Sequence, residues 1–136
     1  MQPPDQLVAY ARKIAVYRAY DNLENGLQPL DVLNTKFEHE QKEFADAVAN
    51  KDIWRQYHEA ADLLYYAVCI DIQTRNYYGE PNMNLFSYYN VFAIISAAGL
   101  DPRKAEKAAM AKYSWRASAP GNKDEDFEIK LIRNAW

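Results

Sequence analysis

The stretch Glu59-Ala-Ala-Asp62-Leu-Leu-Tyr-Tyr-Ala-Val-Cys-Ile70 decides the fold. Asp62 is the only charged residue between Glu59 and Asp71, and the residues around it are apolar on almost every side of a helical turn. A helix that is apolar all round is buried within a bundle. An unpaired carboxylate in such a place costs several kcal/mol or is neutralised by a shifted pKa. Asp62 therefore requires either a basic side chain or a bound cation, and a second carboxylate pair, Glu40 and Glu43, favours the cation.

The remainder of the chain is read outward from this helix. At 136 residues it is long enough for one core and too short for two. Its 49% hydrophobic and 14% aromatic content is that of a globular protein. A formal charge of −3 argues against a nucleic-acid partner, which wants a broad basic face, and leaves small phosphorylated ligands open. Cys69, the sole cysteine, lies inside the apolar run and reads as a packed thiol in a reducing compartment. The first residues show no signal-peptide pattern and no run is long enough to span a bilayer, so the expectation is a cytoplasmic protein without a membrane partner.

Periodicity predicts an all-α antiparallel bundle of four to five helices with no strand alternation. The first helix starts at Pro3-Pro4-Asp5, runs to about Leu23 and is broken at Asn25-Gly26. The second starts at Pro29 or at Thr35, where Thr35-Lys-Phe-Glu38 has capping-box form, and ends before Asn50-Lys51-Asp52. The third spans about Asp52 to Tyr77 and stops at Gly79-Glu-Pro81. Asn84 is the expected N-cap of a fourth helix, closed at Gly99, and Asp101-Pro102 opens a fifth that runs to about Trp115. Residues 117–136 read as a loop followed by a C-terminal arm with no assigned structure.

Residues three apart on a helix share one edge, so Glu40 with Glu43, and Glu59 with Asp62, each present two carboxylates together. Alone, Glu40 and Glu43 have the pattern of an ordinary solvated face. In an antiparallel hairpin the four converge, an arrangement that divalent cations stabilise, and oxygen-only ligation points to Mg²⁺ or Mn²⁺. A di-iron bundle expects Glu-x-x-His, whereas Lys36 and Arg55 stand three residues before His39 and His58. Both histidines read as solvated or hydrogen-bonded rather than catalytic.

Glu40-x-x-Glu43 followed by Glu59-x-x-Asp62 resembles the signature of the all-α nucleoside triphosphate pyrophosphohydrolases, which include MazG-like proteins, dimeric dUTPases and phosphoribosyl-ATP pyrophosphohydrolases. Glu59-Ala-Ala-Asp62-Leu-Leu-Tyr-Tyr is similar to the corresponding run of the phosphoribosyl-ATP branch, which also places a lysine where Lys36 stands. Lys112-Tyr113 and Arg116 resemble a downstream Lys-Phe and Arg of the MazG-like branch. Two positions depart from the pattern. His39 replaces the first of a common glutamate pair, and Met110 replaces a common asparagine.

The resemblance implies one MazG-like pyrophosphohydrolase domain over residues 1–136. Its expected reaction is hydrolysis of a nucleoside triphosphate between the α- and β-phosphates, giving monophosphate and pyrophosphate. Glu40, Glu43, Glu59 and Asp62 are the expected metal ligands, with Glu43 assigned to activate water. Lys36, Lys112 and Arg116 are the expected phosphate contacts. Trp54, Tyr65, Tyr66 and Trp115 are candidates for stacking on the base. Family members imply a homodimer or homotetramer. The alternatives are phosphoribosyl-ATP or dUTP as substrate, or a non-catalytic helical interaction module whose carboxylates form only salt bridges.

Overall fold

The computed structural model describes residues 3–18, 28–75, 86–119 and 121–136. Six helices and no strands occur among them: α1 (Pro3–Arg18), α2 (Leu30–Ala49), α3 (Ile53–Arg75), α4 (Phe86–Ala97), α5 (Pro102–Ser118) and α6 (Glu125–Asn134). The all-α expectation is met, with one helix more than the four to five anticipated. The sixth is formed by residues 125–134, inside the stretch 117–136 expected as a loop and arm. The end of the first helix, the Asn25-Gly26 break, the Gly79-Glu-Pro81 stop and the Asn84 cap lie outside the described residues.

α3 is the axis of the fold and packs against all five other helices. Its Ala60, Ala61, Leu63, Leu64, Ala67, Val68 and Ile72 are completely buried, as its all-round apolar sequence requires. Each large side chain among these contributes about 1.5–3 kcal/mol of hydrophobic stabilisation. α1 adds Leu7, Val8, Ala11 and Ile14 at helical spacing, and α5 adds Ala105, Ala108 and Ala109, whose small size permits close packing.

α2 packs against α3 alone among the helices. It starts after Pro29, the earlier of the two expected starts, because the Leu33 N–H already donates to the Pro29 carbonyl at 3.1 Å. Thr35 lies one turn inside and donates its hydroxyl back to Asp31 O, so the expected capping box is not used. The turn at Asn50-Lys51-Asp52 is tight, with Lys51 at φ 59°, and Asp52 Oδ1 accepts from the N–H groups of Trp54 and Arg55 to open α3. At the other end of the hairpin, Gln73 Nε2 donates to Gln28 O at 2.6 Å. The two helices are thus antiparallel, with their carboxylate-bearing turns side by side.

Candidate active site

The hairpin brings Glu40 and Glu43 of α2 against Glu59 and Asp62 of α3, and one oxygen from each lies within 4.8 Å of the others. Glu59 and Asp62 are buried, while Glu40 and Glu43 are half-buried. These four side chains line a cavity of about 850 Å³, within the size range of small-molecule sites. Among the described residues seven carboxylates and only four lysine or arginine side chains line it, so a polyanion entering the cavity needs positive charge beyond these.

Asp62 has the partner its burial demands. Lys112 Nζ of α5 lies 2.7 Å from Asp62 Oδ1, and the Tyr113 hydroxyl donates to the same oxygen. Burial alone pushes the Asp62 pKa up, but the Lys112 and Arg116 charges more than offset this and hold it below the usual value. The direct compensation for Asp62 is therefore a basic side chain rather than the cation that the sequence favoured. The need for a cation falls on its neighbours. Glu40 is pushed up to about 8, first by burial and then by the charges of Asp62 and Glu43. Glu40 Oε2 and Glu59 Oε2 are buried without a hydrogen-bond partner among the described residues. Orphaned buried oxygens on converging carboxylates are the donor set of a hard divalent cation, and these residues fit one.

Of the three basic residues expected on phosphates, two line the cavity. Lys36 is on its wall, and its Nζ donates to Gln28 Oε1 at 2.9 Å. Arg116 also faces it, held by Glu128 through Nε at 2.6 Å and Nη2 at 3.1 Å. Lys112 does not line it. This lysine is 0% exposed and lies behind the carboxylates, donating also to His58 O at 3.2 Å, because a buried Asp62 requires its charge. Among the aromatic candidates only Tyr66 lines the cavity. Tyr65 stacks on Tyr113 with ring centroids 4.0 Å apart, Trp54 packs on Trp136, and Trp115 packs on Phe127.

His39 Nε2 is 2.9 Å from Glu43 Oε1 on the exposed rim, so the imidazole that stands in the carboxylate's place orients the neighbouring glutamate. His58 is buried and bonded to Glu128, a fully buried residue of α6. Burial lowers the His58 pKa, but the Glu128 and Glu59 carboxylates outweigh it and raise it above the usual value. Glu128 itself is held low: burial raises it, and the bonds from His58 and Arg116 more than reverse that. Sequence reasoning missed Glu128. The signal for it was the N-cap of α6, where Asp124 Oδ1 accepts from Phe127 N at 3.1 Å.

The family model for phosphoribosyl-ATP pyrophosphohydrolase matches residues 16–73, which carry all four converging carboxylates. No curated protein and no solved structure matches the chain. No helix among the described residues is long and apolar enough to cross a membrane. Over residues 16–73, less than half of its length, the chain is thus similar to the phosphoribosyl-ATP pyrophosphohydrolase family.

Proposed function

We propose that the protein hydrolyses a nucleoside triphosphate between its α- and β-phosphates, releasing monophosphate and pyrophosphate, with Mg²⁺ or Mn²⁺ held by Glu40, Glu43, Glu59 and Asp62. The observation that carries this reading is the pair of orphaned buried oxygens, Glu40 Oε2 and Glu59 Oε2, in a carboxylate cluster lining a nucleotide-sized cavity. A module built only for salt bridges has no reason to leave them unpaired. Bound divalent cations neutralise phosphate oxygens and lower the pKa of water there. Glu43, the rim carboxylate steadied by His39, orients the water in line with the anhydride and accepts its proton. Lys36 and Arg116 position the phosphates from the wall, and Tyr66 offers a ring face to the base. Lys112 acts through Asp62, keeping that carboxylate ionised.

The match to the phosphoribosyl-ATP family favours one second reading, phosphoribosyl-ATP as the substrate for the same bond cleavage. The buried thiol of Cys69, pushed up to about 12 by burial, suits a reducing, cytoplasmic setting. Phe86 and Tyr89, more than half exposed on α4, are consistent with a homo-oligomer.

The test is pyrophosphate release from common and modified triphosphates and from phosphoribosyl-ATP, with Mg²⁺ or Mn²⁺, by the wild type and by Glu40→Gln and Glu59→Gln. These isosteric changes keep the shape of the site and should lower turnover by on the order of 100-fold. Undiminished turnover in both variants would remove the four-carboxylate assignment, and no turnover on any substrate would favour the non-catalytic module.

A further inference from the structure

His58 has a feature that the hydrolytic reading does not use. Its side chain is only 7% exposed, and its Nδ1 is buried with no hydrogen-bond partner among the described residues. The other ring nitrogen, Nε2, is 3.1 Å from Glu128 Oε1. Glu128 in turn accepts two bonds from the Arg116 guanidinium, at 2.6 and 3.1 Å. A carboxylate gripped in this way only accepts, so the proton between it and the imidazole belongs on Nε2. The neutral ring then carries its lone pair on Nδ1. A carboxylate that fixes the tautomer through one nitrogen and leaves the other bare is the support that metal-bound histidines have.

Two carboxylates complete the surroundings. Glu59 Oε1 lies 3.6 Å from His58 Nδ1, beyond hydrogen-bond range, and Glu59 Oε2 is the orphan already described. Glu125, the first residue of α6, closes the group, and one ligand atom each from His58, Glu59 and Glu125 lies within 4.8 Å of the others. Among the described residues Glu125 makes an ion pair with Arg55 at 3.6 Å, and both side chains are about half exposed. Such a pair contributes little, so the carboxylate can turn inward.

We propose that His58 Nδ1, Glu59 and Glu125 form a second cation site that shares Glu59 with the four-carboxylate centre and takes a transition-metal ion such as Mn²⁺, Fe²⁺ or Zn²⁺. One imidazole nitrogen with two carboxylates suits these ions better than Mg²⁺, which prefers oxygen throughout. Arg116 and Glu128 are positioning residues for it. The site rests on the hydrolytic reading only through Glu59, and it makes the cavity selective by metal at one end.

The experiment is Mn²⁺ binding by the full chain, followed by calorimetry and by pulsed EPR for nitrogen coupling to the ion. The wild type should bind Mn²⁺ in two classes, one of them coupled to an imidazole nitrogen. Glu125→Gln, at a half-exposed position that does not threaten the fold, should weaken that class by more than about 10-fold and abolish the coupling. His39→Gln removes the other imidazole lining the cavity and should leave the coupling intact, as should Glu40→Gln. Mn²⁺ bound by oxygen alone in the wild type, or nitrogen coupling unchanged by Glu125→Gln or lost in His39→Gln, overturns this site and leaves the four-carboxylate centre standing. Absence of any Mn²⁺ binding sinks both.

Discussion

Lys112 and Asp62 are both withdrawn from water, and each is tolerable only because of the other. Replacing Lys112 by Met leaves a buried carboxylate without its ammonium. It should cost about 3–5 kcal/mol in urea unfolding, and the double variant with Asp62→Leu should recover much of that. A single-variant loss below about 1 kcal/mol would show that Asp62 is better solvated than its burial implies. The residue scale also separates what was legible from what was not. Glu40, Glu43, Glu59 and Asp62 were readable because three-residue spacing on a helix is a local property. The roles of Lys112 and Glu128 were not, because their partners lie 50 and 70 positions away and nothing local encodes the pairing.

At the scale of elements, α4 depends on a carboxylate borrowed from its neighbour. Asp71 of α3 is fully buried and accepts from Ser87 N at 2.8 Å and Tyr88 N at 2.9 Å, in the first turn of α4. Asp71→Ala should therefore destabilise the protein by about 2 kcal/mol and speed amide exchange selectively at the start of α4. Unchanged exchange there would show that another group caps the helix. At its far end α4 closes on Gly99, φ 85°, with Leu100 N donating to Ile95 O at 3.1 Å. A Cβ at Gly99 would meet nothing within 4 Å, so the cost of Gly99→Ala is backbone strain alone, about 1–2 kcal/mol by thermal or urea unfolding. The Gly99 stop and the Asp101-Pro102 start were legible because each acts on its own backbone, as Asp101 Oδ1 does in accepting from Arg103 N at 2.9 Å. α6 was not, since its acidic first turn after Pro120-Gly121 has the composition of a loop, and its buried face is one glutamate and Ile132.

For the whole molecule, the shifted groups set a stability profile against pH in the absence of metal. Asp62 and Glu128 are held below their ordinary values of 3.8 and 4.5, so their stabilisation is present above those values and is lost as the pH falls through the folded ones. Glu40 is raised from 4.5 to about 8, so the unfolded chain sheds that proton first and stability declines as the pH rises across that interval. His58, raised above 6.5, stabilises below that value and ceases to do so as the pH rises through its folded one. Metal-free protein should thus melt highest near 4.5, decline from there as the pH rises, and decline more steeply above 6.5. Added Mg²⁺ should raise the melting temperature more at about pH 8 than at about pH 5.5, and Glu40→Gln should flatten the descending limb. A metal-free profile that climbs steadily to pH 8 would contradict the crowding of these carboxylates. By itself the sequence determined the helical class, the limits of α2, the starts of α1, α3 and α5, the end of α4 and the two carboxylate edges, because each depends on periodicity or on backbone chemistry within a turn or two. Only the tertiary structure decided that Lys112 lies behind Asp62 instead of on the cavity wall, that α6 inserts Glu128 between His58 and Arg116, and which oxygens stay bare, because those outcomes depend on which distant charges share one low-dielectric space.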